Sequence, residues 1–112
     1  MDKHYSMESL NEIAGDDLEF MTIVAKTFLE EIPPDLRSMA EAVENDNKEL
    51  AYQFAHKMKP NLEMFGIKVK KDITAIEAWT KTSKSKATIM EHLDTITVVL
   101  EEVFKELKAD FL

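Results

Sequence analysis

The chain has 112 residues, 45% of them apolar and 32% charged, the balance of one globular domain able to bury about two thirds of its surface. Its 22 acidic and 14 basic side chains leave a net charge of −8, which argues against nucleic acid and anionic membrane surfaces as partners. No apolar run approaches the ~18 residues of a spanning helix, Met1-Asp2-Lys3-His4-Tyr5 has no signal-peptide core, and the absence of cysteine removes disulfides and thiolate chemistry. The expectation is a cytoplasmic protein.

Only two glycines, Gly15 and Gly66, are present. A sheet protein of this length needs many more for its turns, so the chain reads as all-α. The same scarcity leaves no phosphate-cradling loop. In chain order, Ser6 to Ala14 forms a short helix with Leu10 and Ile13 apolar, closed by Gly15. Asp16 is the expected N-cap of the next helix, with Glu19 as its capping-box partner. Leu18, Met21, Ala25, Phe28 and Ile32 then repeat at steps of three and four. Pro33-Pro34 predicts a kink or a restart. Beyond it Leu36, Met39, Ala40 and Val43 carry the stripe to about Asn45.

Asp46 or Asn47 caps a third long helix, which ends near Gly66. Val69, Ile73, Ile76 and Thr80 mark a fourth, with Trp79 beside the stripe, and residues 82–85 form a polar turn. The last helix repeats Ile89, Leu93, Ile96, Leu100, Val103 and Leu107 without a miss. Short connections make neighbouring helices antiparallel. The expected fold is an up-down-up-down four-helix bundle with a short N-terminal helix, one domain over residues 1–112.

The third long helix carries the chemistry. With Met58 at the centre of its apolar face, Ala51, Phe54, Ala55, Leu62 and Phe65 fall within ~60°, while His56 lies ~160° away, towards water. Lys59 is its neighbour at i+3, and Lys57 lies on the opposite flank. From Lys57 to Lys71 there are five lysines and one acid, Glu63, the reverse of the chain's overall sign. Ammonium groups beside a nucleophilic imidazole suit an incoming phosphoryl group. Taken alone, the same residues also describe an ordinary solvated helix face. Pro60, inside the helical pattern, cannot donate to the carbonyl of His56. That fits either a tolerated kink or a surface shaped for close approach.

Ala55-His56-Lys57-Met58-Lys59-Pro60-Asn61-Leu62-Glu63-Met64-Phe65-Gly66 resembles the signature of histidine-containing phosphotransfer (HPt) domains: a histidine, a lysine three residues on, a compact residue next, and a glycine ten residues after the histidine. Phe28-Leu29-Glu30-Glu31-Ile32-Pro33 with Leu36 looks like the family's earlier helix. The resemblance spans about Leu10 to Leu107 and implies the same helical bundle. It implies that His56 takes a phosphoryl group from the aspartyl phosphate of a receiver domain and passes it to another receiver. Lys59 and Lys57 would stabilise that group. The magnesium ion belongs to the receiver, so no cofactor is expected here, and the chain would be a phosphocarrier and not an enzyme. Pro60 departs from the glycine usual at its place. The family often has an acidic or amide residue facing the histidine from the next helix. Glu77, the nearest, is one residue short of that spacing, so no role is carried over to it.

Receiver docking implies an apolar patch near His56, for which Met64, Pro60, Leu10, Ile13 and Phe20 are candidates. For each of these alone, completing the core of a small bundle is the favoured reading. His4 and His92 stand alone without metal-ligand spacing. No nucleophile elbow is present. The rival from another class is a helical interaction module that binds receivers without carrying phosphate. Each apolar stripe is needed for one bundle, which points to a monomer. The initiating Met1 favours a free-standing protein over a segment of a hybrid sensor kinase.

Overall fold

The computed structural model describes residues 3–112. Met1 and Asp2, the first two residues of the segment without a signal-peptide core, lie outside them. Five α-helices follow one another: α1 (Met7–Ala14), α2 (Leu18–Glu44), α3 (Lys48–Met64), α4 (Lys70–Trp79) and α5 (Met90–Phe111), with one 3-10 turn at Lys86–Thr88. No strand occurs among the described residues. The molecule measures 46 × 25 × 20 Å, its long axis close to the ~40 Å that a 27-residue helix such as α2 spans at 1.5 Å per residue. Among the described residues no helix is long and apolar enough to cross a membrane.

Each helix packs where its apolar stripe requires. α2 lies against α3 and α5, α3 against α4, α4 against α5, and α1 against α2. The stripe of α5 is buried throughout, and Ala51, Ala55, Met58 and Leu62 are buried on α3. Burying a side chain such as Leu62 contributes about 1.5–3 kcal/mol, and together these four fix the rotation of α3 about its axis. His56 is therefore forced outward.

The helix ends explain the turns. At the end of α3 the Gly66 N–H donates to Glu63 O at 3.0 Å and the Ile67 N–H to Leu62 O at 3.0 Å. This is a Schellman closure, which needs a left-handed residue, and Gly66 has φ +65°. Asp46, φ +54°, closes α2 with the same pair of bonds, and the Asn47 side chain then caps α3 by accepting from the Leu50 N–H. The N-terminal segment is tied across this end of the molecule. Ser6 N–H donates to Phe65 O at 2.7 Å, the Lys3 ammonium pairs with Asp110 at 2.9 Å, and the Tyr5 hydroxyl donates to Asp110. At the other end, the Trp79 indole N–H donates to Lys84 O and Ser85 O, and the Lys48 ammonium lies 5.0 Å from the Trp79 ring centroid.

Three local expectations are corrected. Asp16 does not cap α2. It follows Gly15 into the left-handed region at φ +65°, and the cap passes to Asp17, which accepts from the Phe20 N–H at 3.1 Å. Glu19 then falls at the second helical position, outside a capping box. Pro33-Pro34 does not restart the helix, and α2 is helical across both. The donors they lack would serve the carbonyls of half-buried Leu29 and exposed Glu30. Leu18, assigned to the apolar stripe, is 67% exposed at the first turn of α2.

Candidate functional site

His56 and Lys59 stand one turn apart on α3 and both reach Glu77 on α4. His56 Nδ1 is 3.0 Å from Glu77 Oε2, and Lys59 Nζ donates to Glu77 Oε1 at 3.0 Å. The Glu77 side chain is 11% exposed and that of His56 65%. A carboxylate beneath the ring and an imidazole open to solvent above it define the site. Burial alone would raise the Glu77 carboxyl. Bonds from Lys59 and His56 outweigh it and hold the group below the usual carboxylate range. The same hydrogen bond raises Lys59 above its ordinary value.

An ionised carboxylate only accepts hydrogen bonds. In the neutral imidazole Nδ1 therefore carries the proton and donates it to Glu77, and Nε2 holds the lone pair. A carboxylate partner of this kind fixes the tautomer and the orientation of the ring. Nε2 makes no hydrogen bond among the described residues. Tyr52, one turn before His56, stacks on the ring with centroids 5.4 Å apart and planes within 9°. The arrangement can present a nucleophilic nitrogen to an electrophile bearing negative oxygens, with one ammonium beside it.

The other lysines do not converge on His56. Lys57 pairs with buried Asp35 on α2 at 3.0 Å, on the flank opposite Glu77. The expectation that Lys57 serves the imidazole is corrected: its charge neutralises a buried acid between α2 and α3. Lys70 turns back to Glu63 at 3.9 Å. Of the five lysines, Lys59 alone shares a partner with His56.

Of the docking candidates, Met64 and Phe20 meet in a groove of about 310 Å³ between α2 and α3, with Ile23, Thr27, Glu31 and Asn61 also on its walls. Ile23, 55% exposed, was not anticipated. It lies between the positions of the α2 stripe and carries no motif. Pro60 is exposed on α3, one turn beyond His56. Ile13 is exposed on α1 and takes no part in the groove. Leu10 is 1% exposed, so it belongs to the core and offers nothing to a partner. This corrects its place among the candidates.

The remaining histidines do not stand alone as their sequence neighbours suggest. His92 Nδ1 is 2.9 Å from Asp72 Oδ1 across α4 and α5. His4 lies with Glu102 and Glu106 of α5 in a group whose ligand atoms are all within 4.8 Å. Both Glu106 oxygens already receive His4, one from its backbone N–H and one opposite its ring. Glu77, named from the sequence as the nearest acid to face the histidine but given no role, does face it, and Tyr52 is the site residue sequence reasoning missed. The signal for Tyr52 was present, an aromatic ring at i−4 of the histidine.

Comparison of the chain with family models, with curated proteins and with solved structures found no match.

Proposed function

We propose that this chain is a histidine phosphotransfer protein of the HPt kind, an antiparallel four-helix bundle with a short leading helix, acting as a phosphorelay intermediate between receiver domains. The observation that carries the reading is the His56 ring, open to solvent at Nε2 and held at Nδ1 by Glu77. The local signature around His56, Lys59 and Gly66 supports it independently.

In the transfer, the Nε2 lone pair forms a bond to phosphorus as the bond from phosphorus to the receiver's aspartyl oxygen breaks. The electron pair leaves with that carboxylate. The Nδ1 proton stays on the ring, and the positive charge this puts on the imidazole is met by Glu77. The Lys59 ammonium offsets the charge of the phosphoryl oxygens. Transfer onward breaks the nitrogen–phosphorus bond in favour of a second receiver's aspartate. The energy resides in the phosphorylated donor, and this chain needs neither a nucleotide site nor a resident metal for the step. The protein acts as a cytoplasmic monomer, and the α2–α3 groove with Phe20 and Met64 is the face that meets the receiver.

The experiment is transfer of radiolabelled phosphoryl groups from a panel of phosphorylated receiver domains, beside His56→Gln. An acid-labile label on the natural chain, absent from the variant, is the expected result. Label that persists in His56→Gln would overturn the site. Receivers that bind the chain but never label it would establish the rival reading, a scaffold without phosphate.

A further inference from the structure

A single hydrogen bond leaves an imidazole free to pivot. The Nδ1–Glu77 contact fixes one atom of the His56 ring, and rotation about that contact swings Nε2 through an arc. The second restraint comes from Tyr52. The two residues are four apart on α3, one above the other on the same face. Their rings lie 5.4 Å apart with planes within 9°, an offset stack. Tyr52 is itself backed from another element, since the Lys81 ammonium just beyond α4 lies 5.5 Å from its ring centroid.

We infer that Tyr52 is a positioning residue that fixes the plane of the His56 imidazole for phosphoryl transfer. The inference rests on the phosphocarrier reading. The Nε2 lone pair lies in the ring plane, so the plane sets the line along which phosphorus can be met. Displacement at phosphorus requires nucleophile, phosphorus and leaving oxygen to be roughly in line. A pivoting ring spends less time on that line, which lowers the rate within the docked complex and not the affinity for the receiver. The stack uses the ring face and not the phenol hydroxyl. Glu77 thus sets the tautomer, and Tyr52 sets the plane.

The variants are Tyr52→Phe, which keeps the face, and Tyr52→Leu, which removes it. Tyr52→Met, bulky but not aromatic, is the second choice should the leucine variant fold poorly. With the receiver that labels the natural chain fastest, Tyr52→Leu lowers the rate at saturating receiver about tenfold, with half-saturation unchanged. Tyr52→Phe restores the rate. In parallel, proton NMR of the His56 ring needs no receiver at all. Ring-current shifts are present in the natural chain and Tyr52→Phe, and absent in Tyr52→Leu. An unchanged saturating rate in Tyr52→Leu, a change confined to half-saturation, or resonances that do not move would each overturn the inference. If no receiver labels the natural chain, the phosphocarrier reading falls, while moving resonances would still establish that the Tyr52 and His56 rings stack in solution.

Discussion

Glu77 Oε2 lies 3.0 Å from His56 Nδ1, although 21 positions separate the two residues. The contact joins α3 to α4 and uses the second carboxylate oxygen for Lys59. One buried acid therefore orients the nucleophile and holds the cation beside it. Removing it should strike both stability and transfer. Glu77→Ala removes the acceptor that joins α3 to α4 and is expected to lower the midpoint of urea denaturation. Glu77→Gln retains an oxygen for Nδ1–H and folds, but transfer slows because the ring's positive charge is no longer met. A Glu77→Gln protein as fast as the natural chain would remove Glu77 from the mechanism.

The acid limb of stability follows from the same residue. Its folded carboxyl is held below the ordinary value of 4.5. The contribution of Glu77 is thus complete above that value and is lost as pH falls through the folded one, because the unfolded chain takes up the proton first. Asp110, lowered by hydrogen bonds from Tyr5 and Lys3, acts in the same sense. Urea midpoints measured from pH 7 down to pH 3 should fall more steeply for the natural chain than for Glu77→Gln.

Two lysines two residues apart should separate cleanly. Lys57→Ala strips the partner from buried Asp35 and is expected to destabilise by about 1–3 kcal/mol while the transfer rate stays near that of the natural chain. Lys59→Ala should slow transfer about tenfold or more, through the lost charge beside the phosphoryl oxygens. A Lys57→Ala protein of normal stability and slow transfer would reverse the assignment.

The two glycines differ in what surrounds them. A Cβ on Gly66 would lie 2.6 Å from Ser6 Cβ, whereas one on Gly15 meets nothing within 4 Å. Gly15→Ala should cost only the left-handed backbone, about 1–2 kcal/mol. Gly66→Ala adds overpacking of about 1–3 kcal/mol to the same strain and should lift the segment before α1 from α3. Thermal unfolding of the two variants compares them directly.

The groove between α2 and α3 yields a prediction about affinity. Met64→Glu places a charge among Phe20, Ile23 and Met64. It should raise the receiver concentration needed for half-maximal transfer about tenfold, a difference of 1.4 kcal/mol, with the saturating rate and the fold preserved. An unchanged half-saturation would remove this groove from the docking face.

The helices were legible because burial is periodic. The stripe of α5 and the outward turn of His56 on α3 follow from helical spacing alone, and both hold in the structure. The site was legible only along α3. Glu77 comes from another helix, and its register against His56 is set by how α3 and α4 pack, which no local spacing encodes. The lysine cluster misled for a related reason. Helical spacing already set Lys57 on the flank opposite Lys59, but a count of charge along the chain does not give its partner, and Lys57 meets Asp35 of α2. Of the two outcomes expected at Pro33-Pro34, a kink or a restart, the restart does not occur, since α2 continues through both prolines.

The chain has one tryptophan, and its place gives the molecule a built-in optical gauge. Trp79 is buried, with its indole N–H anchored to the loop after α4, only two residues from the carboxylate beneath His56. Fraying of α4 admits water to that indole and moves its fluorescence to the red. The emission of the unlabelled protein thus reports the integrity of the helix that holds Glu77, so each variant above can be checked for an intact site in the same cuvette as its transfer assay.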